Sequence, residues 1–425
     1  MKIQNALIKS EHQRLSISKI SLIIAIFFAS IAGYAYFAFI PRFLYAKGFS
    51  EGQVIFIMTW MGIGMAIFSW LFGKISDTSG RRKLFFILAL FLQVIVLSLL
   101  NLSDHIVFHC VLNFFRGLIL GMRMPASNAL FADIVENSNK KDKVIINLET
   151  IEVSGTQLSL LSATKSTGWA VGVLLSSSLI GIFGVDSLVL FLVITTTISL
   201  IFAIPIRDIK KNDKIDKESD TNSTEEKILP PKTSTSENIT SRKKSKVKLI
   251  LFISVFFRQF GVIPFIQIIS ILLFTAGIPD ELAGIVIALN PILQIVAMVI
   301  NGRLIDNPKI SEKLMLAVGF TLSTLALLCY GIGSSTGLIF YFILGQISLG
   351  FSWGCIYTGA VKYIVNHAPN DRAFYTGIWI TNLQIAKITA YQIFTFIWIS
   401  LLTPAMTLPF ATIIPLIGLI LVYWL

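Results

Sequence analysis

Charge is what this chain has least of. Asp, Glu, Lys and Arg make up 14% of its 425 residues, where a soluble domain carries about 25%. The polar residues are also clustered, leaving long apolar windows between them, and this excludes a large soluble core. Cysteine is scarce: Cys110, Cys329 and Cys355 all lie in apolar runs. No disulfide framework or metal-ligand spacing follows from them. A phosphate-cradling Gly-Lys-Ser/Thr loop is missing, which excludes a pump driven by ATP. Nothing points to an enzyme or a cofactor. A cleavage site after the first apolar run is also missing. The opening "MKIQNALIKSEHQRLSISK" is too long and polar for a signal n-region, so that run is read as a retained helix. The scarcest feature is acid inside the apolar runs. There is no obvious deep Asp or Glu.

What is present is hydrophobic length. Residues of apolar type make up 55% of the chain. A membrane-crossing helix needs about 20 mostly apolar residues. Twelve segments meet that criterion: Ile20–Tyr45, Gln53–Phe72, Leu84–Leu100, His105–Ala132, Leu158–Ile182, Leu188–Ile206, Val247–Phe274, Leu282–Ile300, Leu314–Ile332, Gly337–Val365, Ala373–Ile399 and Thr407–Leu425. "LLTPAMTLP" separates the last two. The fold class is therefore an all-α membrane protein of twelve transmembrane helices. The net charge of +12 is no sign of nucleic-acid binding. The bases fall between apolar segments, as cytoplasmic loops require. They lie in the N-terminal arm, at Lys74 with Arg81–Lys83, at Lys140–Lys143, in the centre of the chain, at Arg303 with Lys309 and Lys313, and at Lys362 with Arg372. The intervening loops carry mainly Arg42 and Lys47. Both termini are expected in the cytoplasm, with the protein in the plasma membrane.

Residues 208–246, from "DIKKNDKIDKESD" to "ITSRKKSK", are charged and poor in apolar residues. Such a stretch cannot bury a core and reads as a disordered linker. The expected organisation is an arm at 1–19, a six-helix bundle at 20–206, a cytoplasmic linker at 207–246 and a second bundle at 247–425. The two N-x-S/T sequons, at Asn222 and Asn238, are cytoplasmic on this topology. The halves also repeat. Gly48, Gly73 and Asp77 are matched by Gly277, Gly302 and Asp306, each pair 229 positions apart. Internal repeats with a site between them are a common transporter plan.

"GKISDTSGRRK" resembles the signature loop of the major facilitator superfamily, G-x-x-x-D-R-x-G-R-R/K, after the second helix. Gly73, Asp77, Gly80, Arg81 and Arg82 match; Thr78 departs from the usual arginine. "GRLID", Gly302 to Asp306, resembles the weaker copy after the eighth helix but lacks the Gly-Arg run. The resemblance implies two six-helix bundles rocking about a midplane site. It also implies a cytoplasmic latch in which Asp77 and Arg81 meet Asp133 at the end of the fourth helix. Asp77 and Arg81 are four apart and can pair if the segment is helical. The alternative is a plain basic loop that only sets topology.

The fourth segment contains "NFFRGLILGMRMP". An arginine in hydrocarbon costs roughly 2.5–3.5 kcal/mol on insertion scales. His109, Arg116 and Arg123 are seven apart, close to two helical turns, so they share one face. A basic stripe must face the bundle interior or a water-filled cavity. Arg258 lies well inside the seventh segment and Lys387 near the middle of the eleventh. Lys165 is nearer the inner end of the fifth and could snorkel. These cations have no evident carboxylate partners, so helix ends, backbone or a ligand must supply negative charge.

Arg116, Arg258 and Lys387 are expected to bind an anionic solute in the central cavity, with Tyr34, Asn290 and Trp353 as further substrate-binding residues. Arginine suits bidentate recognition of carboxylate or phosphate. The alternative is structural: Arg116 or Arg258 holding helix carbonyls across the interface of the halves. Tyr36, Gln294, Gln346, Trp379 and Asn382 are further candidate liners. His109 is the one candidate for proton coupling, because imidazole titrates near neutrality. Gly168, Gly172 and Gly181 place small residues along the fifth segment, suited to close packing. "NSNKKDKVIINLETIEVSGTQ", before that segment, reads as a long loop, with "VIINLETIE" either an amphipathic surface helix or a connector.

The function expected is secondary active or facilitative transport of a small organic anion by a monomer in the lipid bilayer. Efflux of amphipathic drugs is the alternative within the class. A non-transporting receptor or assembly factor on the same fold is the alternative outside it.

Overall fold

The computed structural model describes residues 2–146, 155–207, 247–305, 310–367 and 372–425. These residues are almost entirely helical. The first half contains α1 (Lys2–Ala46), α2 (Glu51–Ser79), α3 (Arg82–Ser98), α4 (Ile106–Ile146), α5 (Gly155–Phe183) and α6 (Ser187–Ala203). The second contains α7 (Leu249–Gln267), α8 (Ile269–Thr275), α9 (Asp280–Ile305), α10 (Glu312–Thr336), α11 (Ile339–His367), α12 (Arg372–Ser400), α13 (Pro404–Ala411) and α14 (Ile413–Tyr423). α7 with α8, and α13 with α14, are single rods interrupted near Pro264 and Pro409. Proline removes one helical hydrogen bond and crowds the preceding turn. Two bundles of six rods result. Among the described residues, nine helices are long and apolar enough to cross a bilayer. α3 and α6 are apolar but have 17 residues each, about 25 Å at 1.5 Å per residue.

Local chemistry sets the helix ends. Ser50 caps α2: its hydroxyl accepts from the Gln53 amide, and the Gln53 carboxamide accepts from the Ser50 amide at 2.9 Å. This reciprocal pair satisfies two otherwise orphaned donors. The repeat seen in sequence reappears in the backbone. Gly48 and Gly277 both adopt positive φ, 90° and 80°. Each forms the turn before a helix, and α2 and α9 start at Glu51 and Asp280, again 229 apart.

Packing between rods relies on missing side chains. A Cβ on Gly64 of α2 would overlap the Phe114 carbonyl, and one on Gly117 of α4 would overlap that of Met61. Gly168 and Gly172 of α5 lie against α1 in the same way. Such contacts let backbones approach closely where lipid removes the hydrophobic drive for association. Across the halves, Gly284 of α9 meets Ser177 of α5, Gly181 meets Glu281, and Gly52 of α2 meets Ile399 of α12. These cross-contacts lie at the end of the bundle that carries the Gly48 and Gly277 turns. One apolar core joins both halves there, from Phe39 and Ile57 to Phe265, Ile287 and Phe394. Large apolar side chains such as Phe91, Leu190, Phe340 and Phe396 are exposed on the outer faces, as a lipid-facing surface requires.

Two expectations change. The stretch after Ala132 is no loop at its start: α4 runs unbroken to Ile146. Its polar residues are adequate helix formers, and the end of apolarity marks the end of the membrane rather than of the helix. The N-terminal arm is likewise helical, continuous with the first span. The linker from 208 to 246, residues 147–154 and Asp306 lie outside the described residues.

Candidate functional site

Between the halves lies a cavity of about 390 Å³. α1 contributes Ser30, Gly33, Tyr34 and Phe37. α4 contributes Arg116, Arg123 and Ser127. Lys165 and Trp169 come from α5, and Lys387 from α12. A second cavity of about 170 Å³ is walled by Arg258, Gln259, Asn290, Gln294 and Trp353. Tyr34, Phe37 and Trp169 line both, so the two chambers share an aromatic wall. Its rings are stacked: Tyr34 lies 5.1 Å from Trp169 and 5.5 Å from Phe37 between centroids. All six residues expected to bind substrate line one chamber or the other.

The cations differ in how they are held. Arg116 is 2% exposed. Its guanidinium lies 3.5 Å above the ring of Tyr36, a cation–π contact. Its Nε and Nη1 have no hydrogen-bond partner. Tyr36 is itself fixed, donating to Asn113 Oδ1 at 2.8 Å, and Asn113 donates to the His109 carbonyl at 3.0 Å. Arg258 is also 2% exposed but fully engaged. Nε donates to Ser323 Oγ at 3.0 Å, Nη1 to Gln259 Oε1 at 3.0 Å and Nη2 to Ser352 Oγ at 3.4 Å. These are side-chain oxygens of its own half, not carbonyls of the other.

Arg123 donates to Gln93 Oε1 at 2.8 Å, and Lys165 to Asn128 Oδ1 at 2.7 Å. Lys387 Nζ sits 5.7 Å from the Phe37 ring and 5.3 Å from the Tyr391 ring. Tyr391 donates to Gln267 Oε1 at 2.7 Å, and Gln267 Nε2 donates to the Phe37 carbonyl at 3.2 Å. That relay ties α7 and α12 to α1. Arg123 and Lys165 thus join the basic lining that sequence centred on Arg116, Arg258 and Lys387. Their polar anchors, Gln93 and Asn128, come from α3 and from further along α4, and no local pattern announced them.

Other expected residues lie elsewhere. His109 lines neither chamber; it is fully buried, with its ring edge-on to Phe49 and Phe108. Neither ring nitrogen has a hydrogen-bond partner. Gln346, Trp379 and Asn382 also lie away from the chambers, Asn382 donating to the Phe252 carbonyl at 2.9 Å.

At the basic-loop end, Asp133 pairs with Arg82 at 2.5 Å, and Arg82 also donates to the Ala129 carbonyl at 3.2 Å. The expected partner was Arg81. α2 stops at Ser79, with Gly80 at φ 62° as its left-handed cap. Arg81 therefore sits at the N-cap just before α3, exposed, rather than extending a turn from Asp77. Gly73 sits close to Pro125. The Asp77 side chain and Asp306 lie outside what the structure describes.

At the opposite end, Arg42 of α1 meets Asp280 of α9 at 3.5 Å, with its guanidinium 3.4 Å above the Phe274 ring. This ion pair joins the halves. Its members are 238 positions apart, and no local pattern links them. Lys47 pairs with Asp104 at 2.5 Å. That hydrogen bond and charge hold the Asp104 carboxyl below its ordinary pKa.

A family model described as Major Facilitator Superfamily matches residues 22–391. A candidate niacin/nicotinamide transporter, NiaP of Bacillus subtilis (strain 168), is 31% identical over 130 residues. That match spans 28% of this chain and 31% of the relative's length. Crystal structures of the nucleoside transporter NupG superpose with a TM-score of 0.70 at 11% identity, covering 96% of this chain and 97% of theirs. A POT family transporter in complex with a thioalcohol-conjugated peptide gives 0.65 at 13% identity, covering 96% of this chain and 94% of that one. At these identities the likeness concerns the fold.

Proposed function

The chain belongs to the Major Facilitator Superfamily, and on that footing we propose that it carries small organic anions across a membrane by alternating access. Arg116 carries this reading. It is a buried guanidinium at a cavity wall with two N–H donors unmatched. Leaving such donors unmet is costly, and an anion supplies a charge-assisted acceptor for a guanidinium N–H. Tyr34, Phe37 and Trp169 offer ring faces beside it, which suits a flat aromatic acid. The partial likeness to NiaP supports nicotinate as the first solute to try.

Both termini face the cytoplasm in this reading, and the linker at 207–246 joins two six-helix units at 20–206 and 247–425. The Arg42–Asp280 end then faces outward and is closed, so the chain is in an inward-facing state. The amphiphile-efflux reading draws on the aromatic wall. A locked receptor draws on nothing specific.

Uptake of labelled nicotinate into proteoliposomes, beside its neutral amide, tests the reading. Nicotinate enters and the amide does not compete. Arg116→Gln lowers nicotinate uptake by at least about thirty-fold, the effect of losing roughly 2 kcal/mol from a desolvated charge contact. Equal transport of both solutes, unaffected by Arg116→Gln, sinks the anion reading.

A further inference from the structure

We infer that this carrier is an obligate anion exchanger whose cavity does not reorient empty. The inference rests on the anion reading above and adds the mode of coupling.

Four cations, Arg116, Arg123, Lys165 and Lys387, line the larger chamber, and Arg258 lines the smaller. No Asp, Glu or His is among the described lining residues of either. Every partner described for these cations is neutral: Gln93, Asn128, Gln259, Ser323, Ser352 and the aromatic rings. Three cations outside the chambers are treated differently. Arg42, Lys47 and Arg82 each have an acid, Asp280, Asp104 and Asp133. At these three positions the chain supplies a carboxylate to a scaffold cation. Inside the chambers that part falls to the solute.

Alternating access closes one end of the cavity before the other opens. Closure expels water and leaves the cations in low dielectric. An uncompensated buried charge then costs on the order of several kcal/mol. Each 1.4 kcal/mol added to the barrier slows a step about ten-fold. A bound anion offsets this cost, so the loaded carrier crosses quickly and the empty one slowly. A carrier that returns only when loaded trades one anion for another. Among the described residues the lining offers no carboxylate or imidazole to return with a proton instead.

Proteoliposomes containing the full chain are loaded with labelled nicotinate in a zwitterionic buffer free of halide and other carboxylates. Efflux into that buffer is compared with efflux into the same buffer holding saturating unlabelled nicotinate. External nicotinate is expected to speed efflux at least about ten-fold. Equal efflux under both conditions overturns obligate exchange while leaving anion transport standing. Efflux no faster than from protein-free liposomes in either condition overturns the anion reading and exchange with it. Lys165→Gln and Lys387→Gln provide a second arm. Fewer cations make the empty crossing cheaper, so the acceleration by external anion is expected to shrink several-fold. An unchanged ratio in both variants overturns the charge explanation.

Discussion

Arg116 and Arg258 are buried to the same depth in opposite halves, yet they are stabilised by opposite means. Arg258 is ringed by two serine hydroxyls and a glutamine, and each of its three nitrogens donates to an oxygen. Arg116 rests on a tyrosine ring and keeps Nε and Nη1 unmatched. Burial alone does not identify a ligand site. The state of the donors does. A satisfied guanidinium is a fixed pole of the cavity's field, whereas an unsatisfied one gains most from an incoming anion.

The contrast breaks most sharply by substitution. Arg116→Gln is expected to abolish transport while leaving the melting temperature of the purified protein little changed. The double substitution Ser323→Ala and Ser352→Ala should do the reverse. It strips Arg258 of two acceptors and should destabilise the protein by roughly 3–6 kcal/mol, since hydrogen bonds to charged groups are worth about 1.5–3 kcal/mol each. Thermal unfolding in detergent with a transport assay reads both. If the serine variant melts normally, Arg258 is not held as its geometry implies.

Tyr36 sharpens the same contrast on a smaller scale. Tyr36→Leu removes the cation–π contact under Arg116, worth about 2 kcal/mol when desolvated. Tyr36→Phe keeps the ring and loses only the bond to Asn113, about 1 kcal/mol. The leucine variant should therefore raise the KM for nicotinate several-fold more than the phenylalanine variant.

Between the ends of the molecule, Arg42→Gln should loosen the Arg42–Asp280 closure. The expected readout is faster maleimide labelling of a cysteine introduced at Gln267, by up to about five-fold, since partly exposed ion pairs contribute about 1 kcal/mol or less. The smallest effect concerns Asp104. Its pKa is lowered in the folded state by Lys47, so its stabilisation is present above the unfolded value of 3.8 and lost as the pH falls through the lower folded value. Asp104→Asn should flatten that acid limb of the melting curve, lowering stability slightly at neutral pH and leaving it unchanged at low pH, where the carboxyl is already protonated.

Much of this fold was legible because bilayers impose a length and a polarity on every span. The twelve apolar segments correspond to the twelve rods, and the offset of 229 foretold the paired turns at Gly48 and Gly277. The extent of α4 was not legible, because hydropathy reports the surrounding solvent and not the backbone. Asp133 pairs with Arg82, the neighbour of the Arg81 that the resemblance pointed to. Spacing of four between Asp77 and Arg81 assumes a continuous helix, and Gly80 breaks it. At the site, the cations were visible because charge in an apolar run stands out. Their neutral anchors were not, because a glutamine or serine in a span is unremarkable until its neighbour is known.

The stacked rings of Tyr34, Phe37 and Trp169 have a consequence for inhibition. They divide one chamber from the other, so a short flat solute meets Arg116 on one side only. A rod-shaped dianion long enough to thread past the rings would engage Arg116 and Arg258 together. Bridging the halves in this way would resist their separation. Lengthening a cargo by a few bonds would turn it into a plug.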